Sequence, residues 1–520
     1  MSRQLIPRPK RGERFQSLPA TIYPVPKLNL FLTFLLVCAP VVTSHAAAPA
    51  KPNFIVINID DLGYSDIGPF GSTNKTPHLD RMAKEGRKLM SHYAAPVCSP
   101  SRAALLTGSY PKRALPINHV LFPAGAVGLN PAERTIAEVL KDAGYAAACI
   151  GKWHLGDQAP FLPRRQGFDL FYGLPYSNDM GPPADGIKSN FGAPLPTPKT
   201  DAAKKAPAKQ TIDPEVGVPG NQQPPLPLVE NDTVIGRVRA ADQLTLTRRY
   251  TERAVSFIRE RKDRPFFLYL AHSAVHFPLY PSAEHRGKSP NGLLGDWTQE
   301  VDASVGQVLE TLRELKLDRN TLVLFVSDNG GPINQGATNR PLRGGKGTTL
   351  EGGMRVAAMA WQPGTIPAGT STDAMTSMMD VLPTFAKLAN APLPTDRKLD
   401  GVDVWSVLSG SPMQPPRDSI LYYRGLTLDA VRSGTWKLHL AKNELYDLGR
   451  DVGEATNLAG KHPEIVQKLR VLAEATDADL GREGRGPGCR PLGRVENPQP
   501  LIEHDGTVRA DAAGAQKRFP

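Results

Sequence analysis

Residues 53–61 read NFIVINIDD. The stretch 53–59 is a nearly continuous apolar, β-branched run, the pattern of a strand buried on both faces within a parallel sheet. Two aspartates stand immediately beyond its carboxyl end. Outward from this strand the same theme recurs. Further strands are predicted over 146–150, 265–270, 321–326 and 356–361, and helices over 76–84, 99–107, 133–143, 248–261, 294–315 and 381–388. Strands alternating with helices over about 350 residues predict one large α/β domain, a mostly parallel sheet flanked by helices. From residue 417 the pattern changes to short strands (419–423, 430–432, 436–440, 445–446) and one helix over 462–476. That change predicts a smaller C-terminal α+β subdomain with an antiparallel sheet over 417–480, following a main domain over 47–416. The stretch 182–227, rich in Pro, Ala and Lys, reads as a long flexible surface insertion. Residues 481–520, rich in Gly, Arg and Pro, read as a loosely ordered tail.

Composition excludes other classes. With 40% hydrophobic and 22% charged residues the chain is neither disordered nor a coiled coil, and four cysteines in 520 residues are too few for a disulfide scaffold. Residues 28–42, LNLFLTFLLVCAPVV, follow a basic stretch and precede Ser44-His45-Ala46. This is the layout of a signal peptide over 1–46, and it predicts a periplasmic or secreted protein. The run is too short for a comfortable membrane span, so no stable membrane association is expected. Removing 1–46, with six basic side chains and one acidic, lowers the formal charge from +11 to +6. The remainder is spread along the chain, which argues against a nucleic-acid surface. Cys98, Cys149 and Cys489 then remain, an odd number for an exported protein. The residues leave open whether Cys149 and Cys489 are bridged.

Four polar groups follow predicted strands: Asp60-Asp61, Lys152 with His154, His272 with His276, and Asp328-Asn329. Ligands of open parallel sheets bind beyond the carboxyl ends of the strands, so the four converge on one rim. Asp60, Asp61, Asp328 and Asn329 offer only oxygen donors, which suit a hard cation such as Ca²⁺ or Mg²⁺ and not a zinc site. In Cys98-Ser99-Pro100-Ser101-Arg102, Ser99 is a natural N-cap and Pro100 a natural first helical residue. This places Cys98 at a helix N-terminus, where free amides favour an anion, with Arg102 able to add a bidentate contact.

The run C-x-P-S-R-x-x-x-L-T-G over 98–108 matches the sulfatase signature at every fixed position. From 53 to about 458 the chain resembles formylglycine-dependent sulfatases of the arylsulfatase A and N-acetylgalactosamine-6-sulfatase branch, which have the alkaline phosphatase-like fold. The matching stretches include GKWHLG at 151–156, GLPYSNDMGP at 173–182, SDNG at 327–330, LRGGKGTTLEGGMRV at 342–356 and YYRG at 422–425. The resemblance implies that Cys98 is converted to formylglycine by a separate maturating enzyme. It implies one Ca²⁺ held by Asp60, Asp61, Asp328, Asn329 and the modified Cys98. Arg102 and Lys152 would steady the formylglycine diol, and His154 would act on it as base. His276, Lys346 and Ser177 would contact sulfate, with His276 or Lys346 protonating the leaving oxygen. A sulfated sugar or an aryl sulfate is the implied substrate. Asn178 departs from the family, standing where arylsulfatase A has a His, which puts leaving-group recognition in doubt. His272 has no implied role and is expected to be structural. Pocket walls are expected from 182–227, from 280–296 and from Arg424.

Two other readings are weighed. A phosphatase or phosphonate monoester hydrolase of the same superfamily would commonly use Ser or Thr with two zinc ions, against the oxygen ligands and complete motif here. A non-catalytic glycan-binding descendant would be expected to have lost Cys98, Arg102, Lys152, His154 or Lys346, and all five are present.

Overall fold

The computed structural model describes residues 19–24, 51–194, 214–411, 414 and 416–519. Met1–Pro49 and Ala50–Pro520 are separate units, and the architecture below is that of the second. The apolar run 28–42 lies outside the described residues. Among the described residues no helix is long and apolar enough to cross a membrane.

Asn53–Ile59 is the centre of a ten-stranded sheet. It pairs in parallel with Thr321–Ser327 on one side and Phe266–Ala271 on the other. Ala146–Lys152 and then Leu170–Leu174 continue the parallel series. Every residue of these five strands is buried. Alternate side chains feed two cores, Phe54 and Val56 on one face and Ile55, Ile57 and Ile59 on the other. Parallel neighbours need crossovers. Ile136–Asp142, Leu246–Glu260 and Gly292–Glu314 each precede the next strand of the parallel series.

The strands that flank this series run antiparallel to it, and the edge strand Thr370–Thr372 is again parallel to its neighbour Arg87–Leu89. Ala358–Trp361 runs against Thr321–Ser327, and Pro227–Glu230 runs against Leu170–Leu174. The helix expected over 133–143 is shorter because Thr135 caps it. Thr135 Oγ1 accepts from the Glu138 amide at 3.2 Å while Glu138 accepts from the Thr135 amide at 2.8 Å, a reciprocal box that fixes the first turn.

The C-terminal sheet is antiparallel as expected: Ser419–Arg424, Thr427–Ser433, Trp436–His439 and Glu444–Asp447, with Pro463–Glu474 packed on it. Cys98, Cys149 and Cys489 are all free thiols. Burial inside its strand pushes the Cys149 thiol well up, as suits an inert group.

Two expectations are corrected. The ends of the 182–227 insertion are packed: Ile187, Val216 and Leu226 are buried, and Asp185 pairs with Arg237 at 2.7 Å. The central part, 195–213, lies outside the described residues. The segment after residue 480 is not a loose tail. Gly493–Arg494 pairs with Val127–Gly128, and Leu501, Ile502, Val508 and Phe519 enter the main core. Gly and Pro richness signalled irregular backbone correctly; the sparse apolar side chains that dock it lack a periodic pattern. Ile502→Ala is expected to cost about 2–5 kcal/mol, the range for emptying a buried apolar site. Chemical denaturation checks this, and an unchanged midpoint would show the segment to be loosely attached.

Candidate active site

The register of the sheet builds the site. Ile59 pairs with Ser327, so the next residues, Asp60 and Asp328, emerge side by side from adjacent strands. Asp61 follows with φ +61. Such a left-handed turn at a non-glycine residue costs of order 1 kcal/mol, and it brings consecutive carboxylates to one centre. Gly151 precedes Lys152 with φ +108, and a Cβ there would lie 1.8 Å from the Ala271 carbonyl oxygen. Only glycine lets the strand ends approach this closely.

The helix bearing Cys98 is Cys98–Thr107, so Cys98 is its first residue and Val97 its N-cap. Ser99 is therefore not the cap; its hydroxyl accepts instead from the Leu121 amide at 3.2 Å. The C-cap is Gly108 at φ +62, as its place in the sequence predicts.

Around Cys98 the expected residues meet. Its Sγ lies 3.3 Å from Asp60 Oδ1. Lys152 Nζ donates to Asp60 Oδ2 at 2.5 Å and to Ser177 Oγ at 3.1 Å. Arg102 donates through Nε and Nη2 to Asp328 Oδ2 at 3.1 and 2.8 Å. Lys346 Nζ donates to Asp61 Oδ2 at 2.8 Å, and His276 Nε2 stands 3.6 Å from the same oxygen. Asn329 Nδ2 donates to Asp61 Oδ1 at 2.8 Å. His276 Nδ1 is 3.4 Å from Ser177 Oγ. His154, at φ +63, places Nε2 2.9 Å from the Leu121 carbonyl oxygen, leaving Nδ1 buried without a hydrogen-bond partner among the described residues.

The electrostatics follow from burial. Burial opposes ionisation of Asp60, but the charges of Lys152, His276, Arg102 and Lys346 outweigh it and hold the carboxyl well below the usual range. Burial and the neighbouring Asp60 push Asp328 up to about 6. Burial, then Asp60, raises the Cys98 thiol well above its ordinary value. Burial, then Lys152 and Arg102, holds His154 well below the ordinary imidazole value. An unmodified Cys98 is thus a poor thiolate nucleophile, and His154 is neutral.

Three buried carboxylates and an amide oxygen, Asn329 Oδ1, without a hydrogen-bond partner among the described residues make a donor set that fits a hard cation. Ligand atoms of Asp60, Asp61, Cys98 and His276 lie within 4.8 Å of one another. His276 thus stands at the edge of the centre itself.

Two residues lie outside this cluster. His272 is buried, with Nε2 3.1 Å from the Ser304 hydroxyl. Asn178 turns away from the centre: its Nδ2 donates to Gln243 Oε1 at 2.9 Å and to the Pro278 carbonyl oxygen at 3.3 Å. It braces the segment carrying His276, a role that neither its type nor its spacing signals. His119, which sequence reasoning missed, is solvent-exposed yet lies within the field of Lys346; partial desolvation first, then that charge, shifts its pKa down. A lone loop histidine gives no pattern to find.

The Sulfatase family model matches residues 52–391. The chain belongs to the sulfatase family. It is 38% identical over 427 residues to N-acetylgalactosamine-6-sulfatase of Canis lupus familiaris, covering 78% of this chain and 74% of that one. It is 36% identical over 471 residues to human arylsulfatase A, covering 82% and 88%. Among solved structures, Ps i-CgsB in complex with k-i-k-neocarrahexaose superposes with a TM-score of 0.67 at 31% identity, covering 82% of this chain and 92% of that one. This sulfatase is accordingly a sulfuric ester hydrolase, with the alkaline phosphatase-like fold.

Arg102→Met would leave Asp60 and Asp328 buried with less compensation. A loss of about 3–5 kcal/mol is expected, as for breaking a buried pair from one side. Denaturant titration of the purified variant checks this, and wild-type stability would contradict the charge balance described.

Proposed function

We propose that this sulfatase releases inorganic sulfate from sulfated sugars, with a formylglycine made from Cys98 as nucleophile and a calcium ion held by Asp60, Asp61, Asp328 and Asn329. The observation that carries the reading is the place of Cys98: first residue of its helix, 3.3 Å from Asp60, within the field of the buried Lys152 and Arg102 and of the partly buried Lys346. When present, the hydrated aldehyde supplies the attacking oxygen and the ion supplies positive charge to the sulfate oxygens.

The chain's own residues divide the remaining work. Lys152 and Arg102 approach from the strand and helix side and supply fixed positive charge where the transferring group gains negative charge. Lys346 and His276 approach Asp61, His276 being less deeply buried than the carboxylates. They suit a sulfate oxygen and the departing alcohol, which one of them protonates. Ser177, bonded to Lys152, adds a sulfate contact. His154, whose burial disfavours the charged imidazolium and whose Nδ1 has no hydrogen-bond partner among the described residues, is fitted to accept a proton from the residue 98 side chain in the second half of the reaction.

The sugar assignment rests on likeness to N-acetylgalactosamine-6-sulfatase and to a protein crystallised with a neocarrahexaose. The same reading includes export, through the signal peptide over 1–46, to the periplasm or the exterior. It also includes a formylglycine-generating enzyme as partner during biogenesis.

A panel of sulfated monosaccharides, aryl sulfates and phosphate monoesters tests the substrate class. Sulfated sugars should be turned over fastest, and preferential cleavage of phosphate monoesters would overturn the reading. Cys98→Ala should abolish turnover with an unchanged melting temperature; retained turnover would remove Cys98 from the mechanism. Chelation of calcium should abolish activity, and calcium should restore it. Restoration by zinc alone would contradict the ligand assignment.

A further inference from the structure

Lys346 sits in the run Arg343-Gly344-Gly345-Lys346-Gly347-Thr348-Thr349. Three of its seven residues are glycine, and Gly344 and Gly347 have φ of +78 and +81. Its glycines leave the chain many alternative backbone conformations, so the contacts that fix the segment decide where the lysine at its centre sits. Within the main domain the backbone is held in several places: the Gly347 amide donates to the Pro96 carbonyl oxygen at 2.8 Å, the Lys346 amide to the Gly331 carbonyl oxygen at 3.3 Å, Asn339 Nδ2 to the Gly344 carbonyl oxygen at 3.1 Å and the Gly352 amide to the Arg343 carbonyl oxygen at 2.8 Å. The Thr348 amide and hydroxyl close a turn on the Gly345 carbonyl oxygen at 3.1 and 2.7 Å.

A second grip comes from the C-terminal sheet and the loop after it, and it takes the two ends of the segment. At one end, Arg343 Nη1 donates to the Glu454 carbonyl oxygen at 2.9 Å. At the other, Thr349 is held twice. Its hydroxyl donates to Asp429 Oδ2 at 3.0 Å. Its carbonyl oxygen accepts from Lys437 Nζ at 2.9 Å. Lys437 is wholly buried and is itself fixed by Glu351 at 3.0 Å and Glu454 at 2.8 Å. Asp429 is further oriented by Arg424 Nε at 2.8 Å.

We propose that Thr349, clamped by Asp429 and Lys437, is a positioning residue for Lys346, and that the C-terminal sheet thereby sets the geometry of the reaction centre. The inference rests on the reading above, in which Lys346 meets the sulfate. The clamp acts three residues from the lysine, at the far end of the turn that Thr348 closes on the Gly345 carbonyl oxygen. Loosening it frees Nζ to leave Asp61 without touching any group that contacts the substrate.

The test is a double-mutant cycle. It compares Thr349→Val, Lys346→Ala and the double variant in the full chain, read as kcat and KM with 4-nitrophenyl sulfate and as the calorimetric Kd of inorganic sulfate. Thr349→Val keeps shape and loses the hydroxyl. It is expected to lower kcat/KM about tenfold, within the range for small misplacements of a catalytic group, and to weaken sulfate binding, with the melting temperature nearly unchanged. Thr349→Ser, which keeps the hydroxyl, should restore both. On the Lys346→Ala background Thr349→Val should add no further loss in either measure, because nothing remains to position. A loss that persists in full on that background, or wild-type behaviour of Thr349→Val, would overturn the inference alone. Wild-type turnover and sulfate binding in Lys346→Ala would overturn the role given to Lys346, and the inference with it.

Discussion

The constraint on which the structure turns is the burial of Asp60, Asp61 and Asp328 at the ends of two adjacent strands. Like charges in a low-dielectric interior destabilise the fold unless cations are brought to them. This chain brings Lys152 from a third strand, Arg102 from the helix after Cys98 and Lys346 from a glycine-rich loop. Each of these side chains crosses from a different element, so the charge balance also ties the elements together. The cations that compensate the carboxylates also act on Cys98, which lies in the field of Lys152, Lys346 and Arg102.

Much of this was legible in the sequence because parallel strands are simple to read. A run such as 53–59 buries both faces, and polar residues immediately after it stand at the rim. Asp60, Asp61, Lys152, His154, His276, Asp328 and Asn329 follow from that rule alone. Ser177 and Lys346 needed the family resemblance, because they lie in loops whose paths no periodicity fixes. The structure nevertheless brings them to the same centre.

The misread features share a cause: local signals were outweighed by tertiary contacts. Ser99 has the chemistry of an N-cap, yet the helix begins one residue earlier and its hydroxyl serves the Leu121 amide. Residues 493–519 lack periodicity, yet a handful of apolar side chains dock them. Asn178 looked like an altered recognition residue, yet it braces the backbone beside His276. The ion network of Lys437, Glu351 and Glu454 was invisible because its members come from different parts of the chain and belong to no motif.

The account's central claim is that the buried thiol at the head of the helix is not the working group. The raised pKa of Cys98 makes its thiolate scarce, while the cations around it suit an oxygen nucleophile. The most direct measurement is the mass of the proteolytic peptide spanning residue 98, from protein made in its native host. The account predicts the aldehyde form, with oxygen in place of sulfur and two hydrogens fewer. A fully active preparation whose peptide carries the intact thiol would contradict it.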